Sequence, residues 1–215
     1  HGAGSVHAGR TAGIADIERI VFRTRDGRQL GGYKLRAPAA TGYLLVAQGN
    51  ATLADQIVRE LQYFRRLNVD VYLDDYRGYG LSEGKSRLRA IVEDYREIVA
   101  SLNAQPYRRR LLYGMSMGGI ILLNAVGATG DYTALVVDSS PSRISRYGCP
   151  KIYDPVNRLP PDSSRIMIVG GERDRVVPIA HMEELMQVAQ ERGAQVLRHP
   201  RLASPRSIPG GGCTK

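Results

Sequence analysis

The chain of 215 residues has no tryptophan, two phenylalanines, two cysteines and four histidines. Each scarcity excludes something. Two cysteines, Cys149 and Cys213, make no disulfide framework, and the sequence leaves their redox state open. No apolar run approaches the ~18 residues that a bilayer span needs. We therefore expect no membrane span and a cytoplasmic protein. The chain opens on His1 rather than Met, as after processing or truncation, and a removed export signal would leave no trace. No zinc-ligand spacing and no aromatic-stacking motif is present, so neither a metal nor nucleic acid is expected. Acidic residues are outnumbered, 21 against 30 basic ones, for a net charge of +9. Only Arg108, Arg109 and Arg110 form a tight basic run, and it leads into an apolar strand. The charge reads as an Arg-rich surface. The shortage of histidine bears most on function, because general-base chemistry at neutral pH most often uses that side chain.

What is there fits one domain: 43% of residues are hydrophobic, enough for a single core. Residues 1–13, rich in Gly and Ala, read as a flexible arm or tag remnant outside the fold. Residues 14–203 read as the domain, and 204–215, with three consecutive glycines, as a disordered tail. Within the domain, short apolar runs alternate with amphipathic stretches, which implies a mostly parallel sheet with helices on both faces. Residues 20–23 and 32–35 flank the turn Asp26-Gly27 as an opening hairpin. Further strands are predicted at 43–47, 71–73, 111–113, 134–137, 166–169 and 195–197. Helical spacing is clearest over 87–102, where Leu88, Ile91, Val92, Tyr95, Ile98, Val99 and Leu102 share one face. The same spacing predicts a helix carrying Ile57, Val58, Leu61 and Phe64. A buried helix is expected over 120–126 and a last one over 181–192, stopped by Gly193. Residues 139–164, rich in Pro and Ser, show weak periodicity and are too short for a large lid.

The sequence Gly114-Met115-Ser116-Met117-Gly118 matches G-x-S-x-G, a pattern in which a serine stands on a tight strand-to-helix turn. It sits between a predicted strand and a predicted helix, where small flanking residues keep neighbouring chains from colliding. Ser116 would stand at the strand's carboxyl end, facing the positive end of the next helix. That arrangement suits a nucleophile whose attack develops negative charge.

Four segments in register, YLLVAQGNA (43–51), DYRGYGLSEG (75–84), GMSMGG (114–119) and GGERDRVVP (170–178), resemble the α/β-hydrolases, in particular the small esterase and serine-aminopeptidase-like branch. The resemblance covers about 17–200. It implies a serine hydrolase that cleaves small carboxylic esters through an acyl-enzyme intermediate, without cofactor. Amidase, peptidase, thioesterase or acyltransferase chemistry shares that step. Ser116 matches the nucleophile and Asp174 the acid of the triad, with Asp138 as runner-up. The backbone N–H groups of Met117 and Asn50 match the oxyanion hole, although Gln48 replaces the usual histidine of that loop. Arg77 and Ser82 are expected to hold the 75–84 loop.

A triad also needs a base. His1 and His7 lie in the arm, and His181 matches no triad position. His199 follows the last predicted strand, but the family histidine usually lies further on, near where Ser204 stands. Three readings stay open: His199 is the base, the base is lost with an altered C-terminal stretch, or His181 serves. Without a base Ser116 is a poor nucleophile. The alternative is then a weakly active or non-catalytic binding protein on the same fold. Oligomeric state is not legible.

Overall fold

A computed structural model of the chain describes residues 4–201. The tail, Ser204 and Cys213 lie outside the described residues. Among the described residues, eight strands form one sheet in the order β1-β2-β4-β3-β5-β6-β7-β8. They are β1 (Ile17–Arg23), β2 (Gln29–Leu35), β3 (Gly42–Ala47), β4 (Val69–Asp74), β5 (Arg109–Met115), β6 (Ala134–Asp138), β7 (Ile166–Gly171) and β8 (Gln195–His199). The first two pair as a hairpin, β2 meets β4 antiparallel, and every other pairing is parallel.

The period-2 alternation of the central strands sorts the core into two faces. Leu45 and Ala47 of β3 belong to one cluster, with α2 (Leu88–Asn103), α3 (Met117–Leu122) and α4 (Glu183–Glu191). Leu44 and Val46 belong to the other, with α1 (Ala54–Leu61). The predicted helical stripe is the buried face of α2: Ile91, Val92, Tyr95, Ile98, Val99 and Leu102 are all buried. At about 1.5–3 kcal/mol for each fully buried large apolar side chain, that face alone fixes α2 on the sheet.

Three local readings need correction. The predicted helix over 120–126 starts earlier, at Met117, and loosens into a π-turn, Leu123–Gly127. His181 does not open the last helix but closes a 3-10 turn, Ile179–His181, ahead of α4. Residues 1–13 read in sequence as a flexible arm outside the fold, but His7 and Arg10 within them are tied to α1. The His7 N–H donates to Asp55 Oδ2 at 2.7 Å, Arg10 pairs with Asp55 at 3.1 Å, and Ile14 is buried against the α1 face. A buried carboxylate needs such partners, and the sequence spacing between 7 and 55 hides them. The 139–164 stretch folds into three short 3-10 turns, Ile144–Tyr147, Lys151–Tyr153 and Pro155–Arg158. No helix among the described residues is long and apolar enough to cross a membrane.

Candidate active site

Every parallel strand ends at one edge of the sheet, which is where open α/β sheets build their sites. Ser116 stands there between β5 and α3, with φ 49° and ψ −109°. An L-residue reaches that backbone conformation only under strain of about 1–3 kcal/mol, so the surroundings must hold it. They do so from β6. The Ser116 N–H donates to the Asp138 carbonyl at 2.7 Å, and the buried Ser140 hydroxyl donates to the Ser116 carbonyl at 2.7 Å. The same carbonyl also accepts from the Gly119 N–H at 3.1 Å.

Glycines make the turn possible. A Cβ on Gly118 would stand 1.9 Å from the Ala47 carbonyl oxygen, and one on Gly119 2.1 Å from Ser140 Oγ. Neither position tolerates a side chain. Backbone closeness of this kind is the physical content of the G-x-S-x-G signature. Ser140, by contrast, carries no signature, and sequence reasoning missed it.

The loop after β3 closes over the elbow. A Cβ on Gly49 would lie 4.0 Å from the Ser116 Cβ, which puts the 48–53 loop directly beside the serine. Gln48 is fully buried, and its Nε2 donates to the Asp74 carbonyl at 3.0 Å. This side chain therefore fastens the loop to β4. The N–H groups of Asn50 and Met117 donate to no described residue.

The 75–84 loop braces this arrangement. Leu53 at the head of α1 has no capping oxygen. Asp75 substitutes, accepting from the Ala54 N–H at 2.7 Å and from the Leu81 N–H at 2.9 Å. Burial pushes the Asp75 carboxyl up and those two N–H groups oppose it. Ser82 Oγ donates to the Asp75 carbonyl at 2.6 Å. Arg77 spans Asp94 and Asp26, its Nε at 2.9 Å from Asp94 Oδ2. These pairs hold the Asp26 carboxyl well below the usual range, chiefly through the hydrogen bond from Arg77. Next to Asp75, Asp74 is fully enclosed, its Oδ1 without a hydrogen-bond partner among the described residues. Burial, reinforced by the Asp75 charge, raises its carboxyl to about 7.

The remaining triad candidates occupy the next strands in order. Asp138 ends β6, but its Oδ2 accepts from the Tyr113 hydroxyl at 2.6 Å and its Oδ1 from the Ser139 hydroxyl at 2.9 Å. The runner-up acid is thus occupied in place. Asp174 is buried in the loop after β7, and its Oδ1 accepts from the N–H groups of Val176 and Val177 at 2.8 and 2.9 Å. Residues 172–175 line an open cavity of about 430 Å³ there. His199 is the last residue of β8, in register with Gly171, and its carbonyl accepts from the Glu172 N–H at 3.1 Å. Its Nδ1 accepts from the Arg201 N–H at 3.2 Å. The Ser116 hydroxyl has no hydrogen-bond partner among the described residues. His181 points elsewhere, its Nδ1 2.6 Å from the Tyr147 hydroxyl. The structure therefore brings Ser116, Met117 and the Asn50 loop together. It sets Asp174 and His199 on neighbouring strand ends, without a bond from either to the serine.

Comparison with known proteins follows the same division. Residues 38–161 match the family model Hydrolase_4, serine aminopeptidase S33. That span holds the elbow and the Asn50 loop and stops short of Asp174 and His199. The Escherichia coli protein YfhR is 26% identical over 201 residues, covering 81% of this chain and 69% of YfhR. A monoacylglycerol lipase of Mycolicibacterium smegmatis is 37% identical over 103 residues, 45% of this chain and 36% of the lipase. Among solved structures, the Pyrococcus furiosus esterase Pf2001 superposes with a TM-score of 0.69 at 16% identity, covering 85% of this chain and 82% of the esterase. A Xanthomonas campestris serine hydrolase without a lid gives 0.67 at 17% identity, covering 88% and 86%.

Proposed function

This chain belongs to the serine aminopeptidase S33 family of α/β-hydrolases, and from that we infer that it cleaves small carboxylic esters through an acyl-enzyme intermediate on Ser116. The observation that carries the reading is the strained, clamped backbone of Ser116. Nothing in packing needs a serine at φ 49° and ψ −109°, and strain of this kind gathers where a group must be presented to a ligand.

In the proposed cycle Ser116 Oγ attacks the ester carbonyl carbon as His199 Nε2 takes its proton. The N–H groups of Met117 and Asn50 hold the resulting oxyanion. Collapse expels the alcohol, which leaves with the proton from the ring. Water, deprotonated by the same ring, then releases the acid and frees Ser116. Asp174 stabilises the ring cation through Nδ1–H. For this, His199 has to release the Arg201 N–H, because an Nδ1 that accepts carries no proton to donate. The short 139–164 stretch supports an open cleft and short acyl groups over long ones. Peptidase, thioesterase and acyltransferase activities use the same residues.

A second reading is favoured by one observation, a Ser116 hydroxyl without a partner among the described residues together with the Arg201 N–H on His199. It holds that the triad is incomplete and the protein binds acyl compounds while turning them over weakly. One set of measurements separates the two. Ser116 is labelled with a fluorophosphonate, and turnover of a short p-nitrophenyl ester is compared for the wild type, Ser116→Ala and His199→Ala. Loss of turnover in both variants supports the enzyme. Turnover unchanged in His199→Ala, with a gain in Ser204→His, supports the incomplete triad.

A further inference from the structure

We propose that Tyr79 is a positioning residue of the oxyanion hole, whose hydroxyl, held on the Asn50 side chain, orients the Asn50–Ala51 turn so that the Asn50 N–H faces the carbonyl oxygen on Ser116. The proposal rests on the reading of Ser116 as an acylated nucleophile and names a residue outside that machinery.

The 48–53 loop has little to hold itself in shape. Its one internal side-chain bond is long, Thr52 Oγ to the Asn50 carbonyl at 3.5 Å. Ala51 sits at φ 58°, in the left-handed region that an alanine avoids. Such a turn needs outside support, and three tethers reach it from the 75–84 loop. Tyr76 donates its hydroxyl to the Gln48 carbonyl at one end. Asp75 accepts from the Ala54 N–H at the other, at 2.7 Å. Tyr79 holds the middle: its hydroxyl donates to Asn50 Oδ1 at 2.8 Å. Burial raises the Tyr79 phenol, and the Ala51 backbone N–H opposes that rise. The hydroxyl is thus fixed on the side chain of Asn50.

Tyr79 can serve as a fixed point because its own loop is stiff. Its N–H donates to the Tyr76 carbonyl and its carbonyl accepts from the Ser82 N–H, both at 2.7 Å. Its ring packs edge-on against Tyr76, centroids 5.8 Å apart. The following Gly80 lies at φ 44°, where a Cβ would stand 2.2 Å from Asp75 Oδ2. The loop can hardly shift toward or away from Asn50 without breaking the Asp75 cap.

An oxyanion donor acts when charge develops on oxygen, so a donor held off line lowers kcat and leaves KM nearly unchanged. Removing a whole donor costs about 10²–10³ in kcat. Loosening one is expected to cost about tenfold, a fraction of that range. The experiment is a double-mutant cycle on short-ester hydrolysis with Tyr79→Phe, Asn50→Ala and the pair; Asn50→Ala keeps the backbone donor and removes only the group that Tyr79 holds. Each single change is expected to lower kcat about equally, with KM within about twofold, and the double variant to lose no more than one of them. Wild-type kcat in Tyr79→Phe, or losses that multiply in the double variant, overturns the proposal. Ser116→Ala, measured alongside, separates the two failures. Full turnover in that variant overturns the nucleophile and this inference together. No turnover in Ser116→Ala with wild-type kcat in Tyr79→Phe overturns this inference alone.

Discussion

The Ser140 hydroxyl, in the loop just after β6, donates to the Ser116 carbonyl at 2.7 Å, 24 residues back along the chain. With the Ser116 N–H on the Asp138 carbonyl, it closes a two-point clamp on a peptide that would otherwise relax. Ser140→Ala removes one point, while the carbonyl keeps the Gly119 N–H. The expected loss is about 1 kcal/mol of stability, read as a lower denaturant midpoint at unchanged slope. An unchanged midpoint would show that the clamp carries no load.

Gly118→Ala tests the closeness of β3 to the elbow. The added methyl meets the Ala47 carbonyl at 1.9 Å and the backbone on either side is fixed. We expect a loss at the upper end of the ~1–3 kcal/mol typical of overpacking, or failure to fold. Gly9→Ala is the control: nothing lies within 4 Å of its added Cβ. Equal melting temperatures for the two variants would contradict the packing argument.

The elbow was legible in sequence because its constraint is local: the small residues and the serine lie within a few positions of one another. Apolar runs such as 43–47 marked the buried strands for a similar reason, since an unbroken run shows a strand covered on both faces. What was hidden depends on meetings across the sheet. Asp75 caps a helix whose own cap position holds Leu53, Ser140 reaches Ser116 from the loop after β6, and Tyr79 reaches Asn50 from another loop. No local pattern announces such a partner. His199 is the hardest case. Its place at the end of β8 follows from strand order, yet no local pattern sets the direction of its ring, whose Nδ1 accepts from the Arg201 N–H two residues on.

Asp74 should make stability depend on pH. Its carboxyl titrates at about 7 in the folded chain against 3.8 as the ordinary value. Between these values the folded state holds a proton that the unfolded state has lost, so stability falls as pH rises from about 4 to 7. Asp74→Asn removes that dependence. The variant should gain on the wild type by more at pH 8 than at pH 4.5, in paired urea titrations. A gain independent of pH would refute the assignment.

Chain length of the substrate offers a separate test. Among the described residues only 3-10 turns lie between β6 and β7, too little for a large lid. Turnover of p-nitrophenyl esters is expected to peak at short acyl chains and to decline with each added pair of carbons. A steady rise toward long chains would count against the open cleft.

Strand order has a consequence for motion. The elbow is built from β3, β5 and β6, each flanked by strands on both sides, whereas among the described residues β8 pairs only with β7. Local opening costs least at such a margin. Amide hydrogens of β8 (Gln195–His199) should therefore exchange with solvent faster than those of β5 (Arg109–Met115), by mass spectrometry on the intact chain. With His199 as the proposed base, the proposed nucleophile sits in a part of the sheet paired on both sides while its ring rides on a strand at the margin. Fraying there would interrupt proton transfer and leave the serine's geometry untouched.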